Sequence, residues 1–361
     1  MEQSPGRPMP NRFIRALNLE PVDRVPFVPA VYEHKAWFVG RTPSEVCRDG
    51  SLLLASVLAE YRALRADAIV VGIDVYNVEA EACGCEVTYF NPPDNSIPSL
   101  APGSELVRGD QLPAGLVVPD PLSAGRMPLM LDATERARMA LGNDVEVMGA
   151  LSAPFSLAAS LMGAANLFMA MAAEPDTAHG VIAFAADVVT RHGLAYAERG
   201  LHAALFDSQA SPGLISPRSY REFVLGPTQR VVRELTRGGM QYVPLVIGGN
   251  TDPIVEAYLE TGANYILCDG SGSVERFLPA CRGAGRAFRR NIPAAFLISA
   301  SVSEIAGRGR EEIAAAAGYN GFILGTGIVP YGIPAEKILA ARPAGGAEGG
   351  DAGAAAGAAA T

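Results

Sequence analysis

The sequence predicts an α/β fold: a (β/α)8 (TIM) barrel with an N-terminal helical extension and an irregular excursion after the second strand. Eight short apolar runs alternate with helical patterns along the chain, which is the count that such a barrel requires. Several runs end abruptly on polar side chains, as barrel strands do where they carry chemistry. No Gly-x-Gly-x-x-Gly follows the first run, so the competing doubly wound sheet lacks its main support.

The first elements combine a helix, a strand and a capping signal. Residues 11–19 predict a short amphipathic helix that ends before a proline. The apolar run that starts at Val25 contains prolines, which predicts a buried strand with a partly unpaired backbone. It should deliver Tyr32, Glu33 and His34 to its carboxyl end. Thr42, followed by Pro-Ser-Glu, predicts a helix start with a capping box.

Later elements follow the same alternation. Apolar runs predict the remaining strands at 68–73, 145–150, 203–206, 243–247, 265–267, 287–289 and 321–324. Helical patterns cover 52–64, 157–171, 177–199, 217–225, 228–237, 253–261, 274–281 and 304–317. Residues 86–127 predict a small hairpin and an irregular wall or lid of the site. We therefore expect one domain over residues 1–343 and a disordered Ala/Gly tail over 344–361.

Composition excludes several classes of protein. A net charge of −9 and a pI near 5.1 argue against a nucleic-acid binder, which needs a basic face. The sequence has no signal-peptide layout and no apolar stretch of membrane-spanning length, so a cytoplasmic protein is expected. Five scattered cysteines suit a reducing compartment. Cys83-Gly-Cys85 is too closely spaced for a typical zinc pair, so no metal site is predicted.

Motifs at the strand ends resemble the uroporphyrinogen decarboxylase superfamily, which includes corrinoid-dependent methyltransferases. The segments that carry this resemblance are Arg12-Phe-Ile-Arg-Ala-Leu, Glu20-Pro-Val-Asp-Arg24, Asp74, Glu79-Ala-Glu-Ala-Cys-Gly-Cys-Glu86, Ala153-Pro-Phe-Ser-Leu157, Phe206-Asp-Ser208, Ser216-Pro, Gly249-Asn250, Leu324-Gly-Thr-Gly-Ile-Val-Pro330 and Pro334-Ala-Glu-Lys-Ile338. The resemblance implies a barrel enzyme over nearly the whole chain.

Departures from this pattern narrow the function. The decarboxylase carries Arg-Gln-Ala-Gly-Arg after its first strand, where this chain has Val31-Tyr-Glu-His-Lys35. The decarboxylase's pocket tyrosine would fall near Ser160, and its late histidine on Thr326. Thiol-activating methyltransferases hold zinc with His-x-Cys and a late Cys, where this chain has Val246-Ile-Gly248 and Ile328. The resemblance therefore implies neither uroporphyrinogen as substrate nor a zinc thiolate.

Four residues are predicted to be catalytic: His34, Asp74, Asp207 and Tyr32. An imidazole at a strand end suits proton transfer near neutral pH. Asp74 and Asp207 should face each other across the barrel mouth, where paired carboxylates hold a cation or divide into acid and base. The alternative for Asp207 is a turn cap. Glu79 and Glu81, together with His34, form an alternative set of metal ligands.

Other residues are predicted to bind the substrate. One side chain of Arg289-Arg290 should face the pocket and could hold a carboxylate or phosphate, with a surface ion pair as the alternative. The full predicted binding set is Glu33, Tyr76, Asn77, Glu81, Ser208, Asn250, Arg289, Arg290, Thr326 and Tyr331.

Three functions follow from these features. The leading hypothesis is methyl transfer on a small anionic substrate without a zinc thiolate, with methylcobalamin or the substrate itself as methyl donor. The second is a decarboxylase or carbon–carbon lyase without cofactor. The third is a barrel without catalysis that binds a tetrapyrrole or a partner. A small-molecule substrate is expected in the first two; a corrinoid protein and a second copy of the chain are candidate partners, and nucleic acid and membrane are not.

Overall fold

Eight parallel strands form one curved sheet, which confirms the predicted (β/α)8 barrel. The computed structural model describes residues 11–109 and 115–342. The strands lie in the order β1-β8-β7-β6-β5-β4-β3-β2, so each neighbours the next along the chain and the first and second strands end the sheet. Their bounds are β1 Phe27–Ala30, β2 Ala68–Val70, β3 Glu146–Ser152, β4 His202–Phe206, β5 Leu245–Val246, β6 Tyr265–Cys268, β7 Ala287–Ile292 and β8 Phe322–Ile328.

The barrel closes between β1 and β2 through a side chain. The Asp67 amide donates to the Phe27 carbonyl at 2.9 Å, and the Asp67 carboxylate accepts from the Phe27 amide at 2.7 Å. Pro26 and Pro29 flank this point and have no backbone donor. The Asp67 carboxylate therefore replaces part of the backbone pairing that the two prolines prevent. This agrees with the partly unpaired strand expected from the sequence.

Helices cover the outside of the barrel. The α-helices span Arg12–Leu17, His34–Trp37, Pro43–Val46, Gly50–Leu64, Val78–Cys83, Met127–Leu141, Pro154–Met162, Ala164–Ala173, Pro175–Ala197, Pro217–Ser219, Gly226–Arg237, Val255–Glu260, Val274–Ala284, Ala294–Ser299, Val302–Ala315 and Ala335–Ala340. A π-helical turn spans Tyr220–Leu225, and 3₁₀ turns span Ser208–Ala210 and Asp252–Ile254. The capping box at Thr42 is present as predicted, because Glu45 bonds back to the Thr42 amide.

Two local predictions need correction. The chain turns after β1, and His34 begins a short helix instead of ending a strand. The helix expected over 157–171 is two helices that break at Gly163 with a bend of 102°. Within the described ranges, no single helix is long and apolar enough to cross a membrane. Among the helices described, only this bent pair has the combined length and composition of a membrane span.

The N-terminal helix closes the bottom of the barrel. Phe13 meets the inward-facing ring of Tyr265 edge to face, with centroids 5.9 Å apart. Together with Val28, Met148 and Ile323 these residues form a separate buried layer. Because the described residues fill this end, we expect a ligand at the carboxyl ends of the strands, where barrel enzymes carry their sites.

The excursion after β2 contributes a wall at that open end. Val87–Thr88 and Ser99–Leu100 pair as a two-stranded antiparallel ribbon, close to the predicted hairpin. The region is followed by the helix Met127–Leu141, which the sequence pattern does not predict. The expected tail at 344–361 lies outside the described residues.

Candidate active site

A cavity of about 150 Å³ opens at the carboxyl ends of β1 and β2. Five of the predicted site residues line it together: Tyr32, Glu33, Asp74, Tyr76 and Asn77. The other lining residues are Ile73, Val75, Ile97, Pro98, Ser99 and Ile328. The excursion supplies three of these, so it forms a wall of the cavity as its composition suggested.

Asp74 is held by an arginine that the sequence did not single out. The Arg126 guanidinium binds both carboxylate oxygens of Asp74 in a fork, at 2.8 and 2.7 Å. Both side chains are less than a tenth exposed. Two parallel hydrogen bonds from a guanidinium fix the orientation of a buried carboxylate and compensate its charge. Asp74 therefore orients groups at the cavity wall while its charge is balanced locally.

Arg126 also links the excursion after β2 to the barrel. Arg126 Nε lies 2.5 Å from Glu81, whose other oxygen accepts from the Tyr89 hydroxyl at 2.9 Å. Asn77 donates to the Pro98 carbonyl at 2.6 Å. Glu81 and Asn77 were predicted to bind substrate. Asn77 does line the cavity, whereas Glu81 lies outside its lining and links helix, hairpin and Arg126.

Glu33 and Tyr32 reach the cavity from β1. Burial raises the pKa of Glu33 above its ordinary value, while its own backbone and the nearby Lys35 lower it. Burial also raises the pKa of Tyr32, whose ring meets Phe206 edge to face at 5.6 Å. Burial of this carboxyl at the cavity wall therefore favours its protonated form more than exposure to water would.

Asp207 sits at the end of β4, fully buried. One oxygen accepts from the Ser156 amide at 2.9 Å and the Ser156 hydroxyl at 2.7 Å, and the other has no partner among the described residues. Burial raises the pKa of Asp207 to about 7, against the lowering effect of the Ser156 bonds. It therefore caps a neighbouring helix start, not its own turn, and still has one free oxygen.

Tyr76 connects Asp207 to the cavity. Its hydroxyl interacts with Ser208, and its burial raises its pKa to about 12, which the nearby Asp207 carboxylate reinforces. Its ring meets Phe206 at 6.2 Å. Asp74 and Asp207 were predicted to face each other across the barrel mouth, and each carboxylate is hydrogen-bonded to a partner of its own, Arg126 for Asp74 and Ser156 for Asp207. Tyr76 lines the same cavity as Asp74, and its hydroxyl interacts with Ser208, the residue after Asp207.

The two adjacent arginines of β7 face opposite ways. Arg290 points outward and is bound by Glu312, with Nε–Oε2 at 2.9 Å, and by the Asp269 carbonyl at 2.6 Å. Arg289 points inward, is 2% exposed, and lies over the Tyr265 ring at 6.0 Å. Arg290 therefore forms a buried ion pair instead of the surface ion pair that was the alternative from the sequence, and Arg289 is the arginine that faces the interior.

His34 is not among the residues that line the cavity. Its ring is fully buried, Nδ1 lies 2.9 Å from the Pro330 carbonyl, and the Phe38 ring packs on it at 4.8 Å. Burial lowers the pKa of His34 to about 4, so the ring is neutral near pH 7. The chain turns into a helix at this residue, and the imidazole packs beside the loop that follows β8 instead of lining the cavity.

The remaining predicted residues lie away from the cavity lining. Asn250 is exposed, and its side chain accepts from the Asp252 amide at 3.0 Å. Thr326 is buried and accepts from the Ala30 amide at 3.2 Å, which joins β8 to β1. The Tyr331 hydroxyl donates to the Arg41 carbonyl at 3.0 Å. These contacts are those of residues that hold the loops around the mouth.

The structure does not assemble the alternative metal set. Glu79 is buried beside His192 at 2.8 Å, Glu81 is held by Arg126, and His34 is elsewhere. In the parts of the chain that the structure describes, no three His, Cys, Asp or Glu side chains lie close enough to hold an ion. Zinc does not fit the methyltransferase positions either. Val246 packs in the barrel interior and Ile328 lines the cavity, and neither has a ligating atom.

The family model of uroporphyrinogen decarboxylase (URO-D) matches residues 9–342. The chain belongs to this family.

Its relatives within the family include two kinds of enzyme. A methylated-thiol–coenzyme M methyltransferase from Methanosarcina mazei is 29% identical over 52% of this chain and 49% of its own length. A methylcobamide:CoM methyltransferase from Methanosarcina barkeri is 26% identical over 61% of this chain and 64% of its own length. A uroporphyrinogen decarboxylase from Hydrogenovibrio crunogenus is 26% identical over 73% and 76%. The chain thus aligns with only about half of the first of these relatives.

A solved structure shows the same fold. A methyltransferase from Methanosarcina mazei superposes with a TM-score of 0.80 and 25% identity, over 91% of this chain and 96% of the other. The relatives are methyltransferases and decarboxylases, so this family member is an enzyme of a family that carries both chemistries.

Proposed function

We propose that this enzyme transfers a methyl group on a small anionic substrate without zinc-thiolate activation. The methyl group would come from a corrinoid, carried by a partner protein, or from the substrate itself. The methyltransferase relatives support the reaction class. The observation that carries the proposal is a mouth where apolar Val246 and Ile328 replace zinc ligands, while Glu33 and Asp207 supply carboxyls of raised pKa.

These carboxyls suit the proton that methyl transfer releases. When an acceptor atom that carries a proton attacks the methyl carbon, the bond from that carbon to its donor breaks and leaves its electron pair on the donor. The acceptor's proton then needs a base. Glu33 lines the cavity, so its carboxylate can take this proton. Asp74, bound by Arg126, orients the acceptor.

The size of the cavity indicates which of the two reactants it can hold. About 150 Å³ holds a small molecule, whereas a corrinoid is far larger. A corrinoid donor would therefore present its methyl group from the open mouth, above Ile97 and Ile328, which are both exposed apolar residues on the cavity lining.

A labelled-methyl assay tests the proposal. The protein is incubated with ¹³C-methylcobalamin and a panel of small thiols, alcohols and acids, with and without a zinc chelator, and products are identified by mass spectrometry. We expect an enzyme-dependent methylated product that the chelator does not reduce. Glu33→Gln should lower the rate by roughly 10²-fold or more, since it removes a general base. Glu311→Gln, which removes the charge of an exposed glutamate on the outer helix Val302–Ala315, is the matched control and should keep the rate.

Decarboxylation is the second candidate, because the decarboxylase relative aligns over more of the chain and Asp74 is kept. In this case Arg289 would hold the leaving carboxylate. Release of labelled carbon dioxide from carboxylic acids, lost in Asp74→Asn, with no methylated product, would replace the methyl-transfer proposal. No turnover in either assay would favour the barrel that only binds.

A further inference from the structure

Arg289 is an arginine enclosed in the centre of the barrel. Residues alternate along β7, so Ala287 and Arg289 face inward while Phe288 and Arg290 face outward. The Arg289 side chain interacts with the hydroxyl of Tyr32, whose ring lines the cavity above. Tyr32 therefore connects the guanidinium with the cavity.

No described acidic side chain forms an ion pair with Arg289. Arg290, its neighbour, has Glu312 at 2.9 Å, which shows how this protein pairs a buried arginine. The acid facing Arg289 from β6 is Asp269, but its oxygens accept from the Gly249 amide at 3.0 Å and from Asn291 at 3.1 Å. Arg289 Nε has no partner among the described residues. A buried cation without a counter-ion is costly, so a fold keeps one when a ligand supplies the anion.

The neighbouring strand is built to make room for this side chain. A Cβ atom on Gly325 of β8 would lie 2.9 Å from Arg289 Cδ, 2.9 Å from Asn291 Oδ1 and 2.5 Å from the Val28 carbonyl. Only glycine leaves this space, because any other residue would push the arginine or the backbone aside. The interior thus accommodates Arg289 without a direct ion pair among the described residues, although the charge of Asp269 acts on it through space.

We propose that Arg289 binds the anionic group of the substrate, a carboxylate, sulfonate or phosphate, inside the barrel. The planar guanidinium holds such a group through two parallel hydrogen bonds, and the Tyr32 hydroxyl can donate a third. The rest of the substrate then extends upward into the cavity beside Glu33 and Asp74. This inference rests on the proposed function and adds the residue that selects an anionic substrate.

The test compares anions with neutral molecules of the same shape. Thermal denaturation of the full protein is followed while ethanesulfonate, acetate or inorganic phosphate is added at constant ionic strength, with ethyl methyl sulfone and acetamide as neutral counterparts. For the unaltered protein we expect saturable stabilisation by at least one anion and none by its neutral counterpart. In Arg289→Gln the apparent Kd for the anion should rise by tenfold or more.

Matched variants exclude a general charge effect. Arg233→Gln removes an exposed arginine of an outer helix and should keep the anion response unchanged. Arg289→Lys keeps the charge without the fork and should bind with intermediate affinity. If Arg289→Gln does not fold, Arg289→Lys and the comparison of anions with neutral molecules still test whether Arg289 binds the anion. Equal stabilisation by neutral counterparts, no saturable response, or an unchanged response in Arg289→Gln would overturn the proposal. Because no methyl donor is present, this outcome is independent of the methyl-transfer assay.

Discussion

Two charged regions of the barrel mouth are built in opposite ways. After β2, Asp74 is bound in a fork by Arg126, which also binds Glu81, so both carboxylates contact one guanidinium. In the interior, Arg289 lacks an ion pair among the described residues and Asp207 keeps a free oxygen. The first region resembles structural ion pairs elsewhere in the chain, such as Arg290 with Glu312.

The difference separates groups that shape the site from groups that can react or bind. A paired carboxylate gains little by changing its protonation, whereas an unpaired buried group has a strongly perturbed pKa or a strong need for a ligand. We infer that the pair of Asp74 and Arg126 holds the excursion against the barrel. The interior groups are left free for substrate. Variants in each region can break or support this contrast.

Arg126→Met should destabilise the protein most. It leaves Asp74 and Glu81 as buried or half-buried carboxylates without their cation, so we expect a loss of about 3–5 kcal/mol in the free energy of unfolding. Urea denaturation measures it as a fall in the midpoint with the m value unchanged. Arg233→Met, at an exposed arginine, should stay within roughly 0.5 kcal/mol. A loss below ~1 kcal/mol for Arg126→Met would show that the pair is not structural.

Asp207→Asn should change how stability depends on pH. Because the folded-state pKa is raised to about 7, the folded protein keeps this proton between pH 4 and 7 while the unfolded chain releases it. Stability that depends on Asp207 therefore falls as pH rises through this window. Asparagine does not titrate, so the variant lacks this fall. Its free energy of unfolding relative to that of the unaltered protein should therefore rise by roughly 2–4 kcal/mol from pH 4 to 8, because each pH unit between the unfolded-state and folded-state pKa values contributes ~1.4 kcal/mol. Urea denaturation at a series of pH values measures this gain.

The control for this pH experiment is Asp132→Asn, an exposed aspartate on the helix Met127–Leu141. Its difference from the unaltered protein should be nearly independent of pH. A flat difference for Asp207→Asn as well would mean that this carboxyl titrates normally and is not set apart from the paired region.

Gly325→Ala should cost less, about 1–3 kcal/mol, because a methyl group would crowd Arg289 and the Val28 carbonyl. Gly283→Ala provides the matched control, since nothing lies within 4 Å of its added Cβ and the residue is helical. That substitution should be neutral or stabilise by up to ~1 kcal/mol. Thermal denaturation of both variants measures the difference, and equal effects would argue against a crowded interior at β8.

Strand ends are the part of the site that the sequence can predict. Apolar runs that stop on polar residues predict Tyr32, Asp74 and Asp207 after three strands; Tyr32 and Asp74 line the cavity, and Asp207 directly follows β4. The period of two along a strand predicts that one of two adjacent arginines faces inward. It does not tell which one, because the run has no polar residue that fixes the register. Arg289 is that residue.

Contacts distant along the chain could not be predicted. Arg126 comes from an irregular, Pro/Gly-rich segment and reaches Asp74 across 52 residues, which no local pattern encodes. The outcome for His34 depended on whether the strand continued past Val31. The chain instead starts a helix at residue 34, which turns the imidazole toward Phe38 and the Pro330 carbonyl.

The most direct test of an interior left free for an anion is crystallographic. Crystals soaked in selenate would be measured at the selenium absorption edge, for the unaltered protein and for Arg289→Gln. An anomalous peak within hydrogen-bond distance of the Arg289 guanidinium, absent in the variant, is the predicted result. Selenate found only at exposed arginines such as Arg233, with the Arg289 site empty at saturating concentration, would contradict it.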